Sequence, residues 1–158
     1  VSQLEGSPAR LPDYDDSGWD EIGLEGGWTG QGHPRYTGFG WYRKTFTVPD
    51  DLAGVKPVKL LFGAADEDAE IWLNGEKVMD HTCVATGLSP GEICIQPFVV
   101  DPGSGLKRKG ENLLAVRMYN RLAMGGIWKP VYLFSTEEEA SLHWMLDALD
   151  GKLRAREK

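Results

Sequence analysis

Within the glycine-rich stretch 26–40, Trp28, Gln31, His33, Arg35, Tyr36 and Phe39 combine aromatic rings with planar polar side chains. That combination suits carbohydrate chemistry. An aromatic ring stacks on the apolar face of a pyranose, while amide, imidazole, guanidinium or carboxylate groups read its hydroxyls. Long connections of this kind inside a compact domain tend to carry function. The plainer reading is that Trp28 and Phe39 cap one end of a core.

Other chemistries have weaker support. Asp13, Asp15, Asp16 and Asp20, or Asp66, Glu67 and Asp68, could supply oxygen ligands to a structural calcium ion, and Asp101 lies in a glycine-rich turn. No EF-hand spacing accompanies them, and acidic loops are ordinarily solvated. For catalysis, no serine has a nucleophile-elbow context, and His33, His81 and His143 lack metal-ligand spacing. Glu67 with Asp68, or Glu70 with Glu76, could form a carboxylate pair, which keeps a small carbohydrate-active enzyme as a third reading.

The residues that must position these groups read as strands. Trp41–Val48 alternates, with Tyr42, Phe46 and Val48 on one face and Arg43, Thr45 and Thr47 on the other. Val58–Phe62 is a short apolar strand. In the hairpin that follows, Ala69, Ile71 and Leu73 oppose Glu70, Trp72 and Asn74, and Asn74-Gly75 is a type I′ turn pair. Trp72 is expected on an outer face, beneath a loop. Ile93–Asp101 is predicted as a strand with Pro97 at an edge or bulge. Asn112–Asn120 alternates with Leu114, Val116 and Met118 inward, and Ile127–Phe134, apolar on both faces, is expected to be covered on both sides. Seven or eight strands with many Gly and Pro turns predict an all-β jelly-roll sandwich over residues 1–135. Thr136 and Glu139 have capping-box spacing ahead of Leu142, Met145, Leu146, Leu149 and Leu153, predicting a short C-terminal helical tail or linker over 136–158.

A chain of 158 residues suits one full-sized core. A formal charge of −7 argues against nucleic acid or an anionic membrane surface as partner, and no apolar run has membrane-spanning length. No signal peptide is visible, and the start at Val1 leaves room for a removed leader, tag or upstream domain. Cys83 and Cys94 flank a Ser89-Pro90-Gly91 turn and could meet as a cross-strand disulfide; two free thiols are the preferred alternative. An extracellular or periplasmic location is slightly favoured.

Several strings also carry a family resemblance. Trp41-Tyr42-Arg43-Lys44-Thr45-Phe46-Thr47-Val48-Pro49, the Ala69–Val78 hairpin, Gly110-Glu111-Asn112-Leu113-Leu114-Ala115-Val116-Arg117 and Gly125-Gly126-Ile127-Trp128-Lys129-Pro130-Val131-Tyr132-Leu133 occur in one order. They resemble the N-terminal sugar-binding domain of family 2 glycoside hydrolases, which include β-galactosidases and β-glucuronidases. Modules of similar look also occur within sialate O-acetylesterases. The resemblance implies a galactose-binding-like jelly roll that is itself non-catalytic, with the catalytic glutamates on a separate barrel domain. It implies that Asp66 and Asn120, both at strand-to-loop junctions, reach toward sugar. The segment Asp80–Pro97 departs from the family pattern, and only His81 and Pro97-Phe98 match it. The expected carbohydrate-binding set is Trp28, His33, Arg35, Tyr36, Asp66, Glu67, Asn120 and Arg121. The expected function is a non-catalytic carbohydrate-binding module of a larger hydrolase, with a structural packing module as the alternative.

Overall fold

The computed structural model describes residues 7–24, 26–122, 124–136 and 144–147. Its core is a sandwich of two antiparallel sheets, with strands β1 (Gly38–Thr47), β2 (Lys59–Asp66), β3 (Asp68–Leu73), β4 (Glu76–His81), β5 (Phe98–Val100), β6 (Glu111–Asn120) and β7 (Gly126–Phe134). One sheet has the order β1-β6-β3-β4 and the other β5-β2-β7. The fold is the expected all-β jelly-roll sandwich.

Period-two alternation positions the core as expected. Leu114, Val116 and Met118 of β6, Ala69 and Ile71 of β3, and Leu60, Phe62 and Ala65 of β2 meet between the sheets, with Tyr42 and Phe46 packed against them. Phe62, Leu61, Ile71 and Leu73 are completely buried, each contributing about 1.5–3 kcal/mol of apolar burial. Asn74 (φ 53°) and Gly75 (φ 93°) both have positive φ, as a type I′ turn requires. Asn74 then bonds across the sandwich end: its Nδ2 donates to Asn112 Oδ1 (3.0 Å), and its Oδ1 accepts from Leu113 N (2.9 Å). Buried Asn112 also bonds both backbone groups of Lys107, so one asparagine pair locks this end.

The outer face of the four-stranded sheet is covered rather than bare. The Arg117 guanidinium lies over Phe39 (5.1 Å) and Trp72 (5.8 Å) and pairs with Glu70, while Trp72 packs on Trp41 (5.1 Å). Arg43, whose side chain is only 5% exposed, holds the N-terminal segment across this face. It bonds Asp16 Oδ2 (2.7 Å), the carbonyls of Ala9 (2.5 Å) and Leu11 (2.9 Å), and lies over the Tyr14 ring.

Two expectations change. Residues Pro90–Ile93 form a single helical turn against β2, and only Phe98–Val100 of the predicted Ile93–Asp101 strand pairs. The Ser89–Glu92 capping box and Pro90 at the first helical position favour that turn. β7 is an edge strand, so most of its residues from Trp128 onward are half-buried rather than covered on both faces. The C-terminal helix falls largely outside the described residues, of which 144–147 form a helical turn.

Gly126 marks where β7 must approach the rest of the fold. Its φ is +86°, and an added Cβ would lie 2.5 Å from the Tyr42 hydroxyl and 2.8 Å from Trp28 Nε1. Gly126→Ala is expected to lower unfolding free energy by about 2–4 kcal/mol in urea titration. Gly54→Ala, at φ −94° with nothing within 4 Å, should stay within about 0.5 kcal/mol of the parent.

Candidate carbohydrate site

The strand registers bring the loops of interest to one end of the sandwich. Gly38 pairs with Asn120, Asp68 with Tyr119, Ala69 with His81 and Asp66 with Gly126. Segments 26–37, 66–68 and 82–97, with residues 121, 122, 124 and 125, therefore gather there.

At its centre is the corner where the chain passes from β2 to β3, and so from one sheet to the other. Asp66, Glu67 and Asp68 are all buried there, at 4–8% exposure. Such carboxylates need donors. Asp66 Oδ2 accepts from Gly125 N (3.0 Å). Glu67 Oε2 accepts from Arg121 N (3.1 Å) and Nη1 (3.2 Å). Asp68 accepts from Arg121 Nη2 (2.8 Å) and Cys83 N (2.6 Å). The environments push the two aspartates apart. Burial, reinforced by the neighbouring Glu67, raises Asp66 above the ordinary carboxylate range despite the Gly125 N–H. For Asp68 burial pulls the same way, but the Arg121 and Cys83 hydrogen bonds outweigh it and hold the carboxyl below that range.

The 26–37 loop docks beside this corner. Gly26 and Gly27 have positive φ, and Trp28 N and Thr29 N donate to the carbonyls of Gly125 (3.0 Å) and Met124 (3.2 Å). Trp28 is 6% exposed and packs edge-on to Tyr36 (5.4 Å) and face-on to Tyr42 (6.2 Å). Asn120 is fully buried: its Nδ2 donates to the Tyr36 carbonyl (2.6 Å) and its Oδ1 accepts from Leu122 N (3.1 Å). Gln31 braces the loop through both backbone groups of Gly23.

The expected residues thus share one end, in different roles. His33, Arg35, Tyr36 and Arg121 reach solvent. Trp28 and Asn120 are built into the scaffold, and Asp66 and Glu67 are bound into the corner. Residues that sequence reasoning left out complete the surface. A cavity of about 450 Å³ is lined by Trp19, Asp20, Trp28, His33, Tyr36, Phe39, Trp41 and Tyr42. The signal for Trp19 was an aromatic residue inside the acidic stretch 13–20, whose surroundings period-two logic cannot supply.

Among the described residues, no group of three or more His, Cys, Asp or Glu side chains is placed to hold a metal ion. Asp16 pairs with Arg43, Glu67 and Asp68 with Arg121, and Asp101 caps Gly103 N (2.9 Å). Those four of the carboxylates considered for calcium are thus already committed within the protein. Cys83 and Cys94 are free thiols, and burial raises both above the usual thiol range. No described helix is long and apolar enough to cross a membrane.

The family model described as glycosyl hydrolases family 2, sugar binding domain, matches residues 29–137. No curated protein matches the chain. Among solved structures, a Bacteroides uniformis β-glucuronidase is similar at 26% identity and TM-score 0.66, covering 80% of this chain and 16% of its own. A Bacteroides vulgatus β-glycosidase is 28% identical at TM-score 0.60, covering 82% and 18%. A Bifidobacterium dentium β-glucuronidase complexed with coumarin-3-O-glucuronide is 27% identical at TM-score 0.56, covering 73% and 17%. The chain therefore spans 16–18% of the length of these relatives.

Two measurements probe this end. Arg121→Met leaves Glu67 and Asp68 without their side-chain cation and is expected to cost on the order of 1–3 kcal/mol at pH 7. The loss is moderated because the Arg121 side chain is 37% exposed. Asp68, depressed in the folded state, contributes stability above the ordinary carboxylate pKa and loses it as pH falls, so the deficit should shrink below about pH 4. His81 is 3% exposed, stacks on Phe98 (3.7 Å), and its buried Nε2 has no hydrogen-bond partner among the described residues. Burial, only partly opposed by Asp68, lowers its pKa from 6.5 to about 4. The unfolded chain binds that proton first, so stability is full above pH 6.5 and falls toward pH 4. His81→Phe should remove on the order of 2–3 kcal/mol of that acid sensitivity, read from urea midpoints across the window.

Proposed function

The chain belongs to the sugar-binding domain family of family 2 glycosyl hydrolases, and from that premise we propose that it is the non-catalytic, glycan-binding part of a larger glycoside hydrolase. The observation that carries this reading is the convergence of the 26–37 loop, the Asp66–Asp68 corner and Arg121 at one end, beside an aromatic cavity. Exposed rings and hydroxyl-reading polar groups meet there on a rigid sheet end, as carbohydrate recognition requires. The corner carboxylates already bond Arg121 and backbone N–H groups, which supports a positioning role for them over a catalytic one. The catalytic domain of the parent chain is the proposed protein partner.

A specific observation favours a second reading. Val84 (92% exposed), Leu122 (72%), Ile95 (60%) and Met124 (42%) lie in the loops of the same end. Apolar side chains displayed around a polar centre suit contact with a neighbouring domain. The two readings separate by experiment.

In affinity gels loaded with plant and host polysaccharides, the 158-residue chain should be retarded by at least one, with no reducing sugar released. Absence of retardation throughout counts against glycan binding, and sugar release by the chain alone counts against the non-catalytic assignment. Leu122→Asp should leave retardation unchanged, because Leu122 belongs to the apolar surface and not to the cavity.

A further inference from the structure

We propose that the aromatic cleft between segment 18–22 and the edge of β1 is a subsite for a neutral pyranose, stacked on Trp19 and Tyr36. The proposal rests on the glycan-binding reading and names the residues and sugar class that reading leaves open. Four observations carry it.

The first is size: about 450 Å³ lies within the roughly 300–1,000 Å³ of ligand pockets. The second is which rings are available. Trp28 is the buried floor, whereas Trp19 and Tyr36 keep 38% and 45% exposure within the cavity wall. Their remaining apolar surface is gained back only when something flat covers it. Tyr36 is held ready, edge-on to Trp28 and with its hydroxyl donating to the Phe39 carbonyl (2.6 Å), so little ordering cost remains on binding.

The third is a row of backbone groups. β1 is an edge strand paired without a register break to β6. Because antiparallel pairing alternates, the outward Phe39 carbonyl taken by Tyr36 places the next outward N–H and C=O at Trp41, on the cavity wall. Those groups, with Asp20 and His33, can exchange hydrogen bonds with sugar hydroxyls.

The fourth is charge. Among the described residues, Asp20 is the one carboxylate of the cavity lining, which includes no Lys or Arg. A carboxylate accepts from neutral hydroxyls and repels a second carboxylate. The cleft therefore selects neutral hexoses over uronates.

Intrinsic tryptophan fluorescence and calorimetry of the 158-residue chain with methyl β-D-glucopyranoside, methyl β-D-galactopyranoside, cellobiose and glucuronic acid test this. A neutral sugar should bind at least fivefold more tightly than glucuronic acid. Trp19→Ala should weaken that binding at least tenfold with the urea midpoint unchanged, and Asp20→Asn should narrow the neutral-to-uronate ratio. Polysaccharide retardation that survives both Trp19→Ala and Tyr36→Ala overturns the cleft but leaves the glycan-binding reading standing. Wild type that binds no saccharide in solution or gel overturns both. Equal or tighter binding of glucuronic acid overturns the neutral-sugar assignment.

Discussion

Three consecutive carboxylates buried where the chain changes sheets set the terms for one whole end of this domain. At this corner the backbone leaves one ladder after Asp66, paired with Gly126, and enters the other at Asp68, paired with Tyr119, and the side chains of Asp66, Glu67 and Asp68 place their carboxyl groups there out of water. Buried carboxylates persist only where donors are fixed around them. The donors come from three places: Gly125 just before β7, Arg121 just after β6, and Cys83 beyond β4. Satisfying the corner thus fixes the loops that surround it. Gly125 extends the chain of constraint, since its carbonyl receives Trp28 N and so seats the aromatic loop.

The opposite end is locked by neutral groups. Asn74 and Asn112 bond one another and the backbone of residues 105, 107 and 113, with no ionised side chain in that set. Arg43 supplies the third anchor, drawing the N-terminal segment over the four-stranded sheet through backbone carbonyls and Asp16. That segment carries Trp19 to the rim of the cavity. The cleft therefore depends on a contact between Arg43 and residues far from it in sequence.

This dependence explains what the sequence could and could not reveal. Alternation in Trp41–Val48, Ala69–Asn74 and Asn112–Asn120 sorted inward from outward residues correctly, and Asn74-Gly75 fixed a register, because both signals are local. Alternation does not say what covers an outer face. The side chain of Arg43, on the outward face of its strand, is only 5% exposed because the N-terminal segment crosses the sheet there. β7 shows the same limit of a local pattern. Its apolar pattern reports what a strand can bury, while its edge position in a three-stranded sheet decides what it does bury. Ile93–Asp101 failed differently: Ser89, Pro90 and Glu92 form a helix start that the strand reading passed over. The contact between His81 and Phe98, which lie at the two ends of the divergent stretch, is a ring stack across the sheets that no local pattern announces.

The division between scaffold and surface follows from burial. A residue that stabilises the sandwich end by being enclosed has little face left for a ligand, and Trp28 and Asn120 are of that kind. Asn120 uses both ends of its amide on backbone partners, and Trp28 fills the space that absent side chains at Gly40, Gly125 and Gly126 leave open. Trp19 and Tyr36 differ because each is held at one edge, by Tyr14 and by Trp28 respectively, with ring surface remaining at the cavity. Trp28 and Asn120, both singled out by the sequence, therefore build the scaffold. The glycines at 40, 125 and 126 admit Trp28 into that scaffold, and the enclosed ring in turn orients the edge-on Tyr36 beside the cavity.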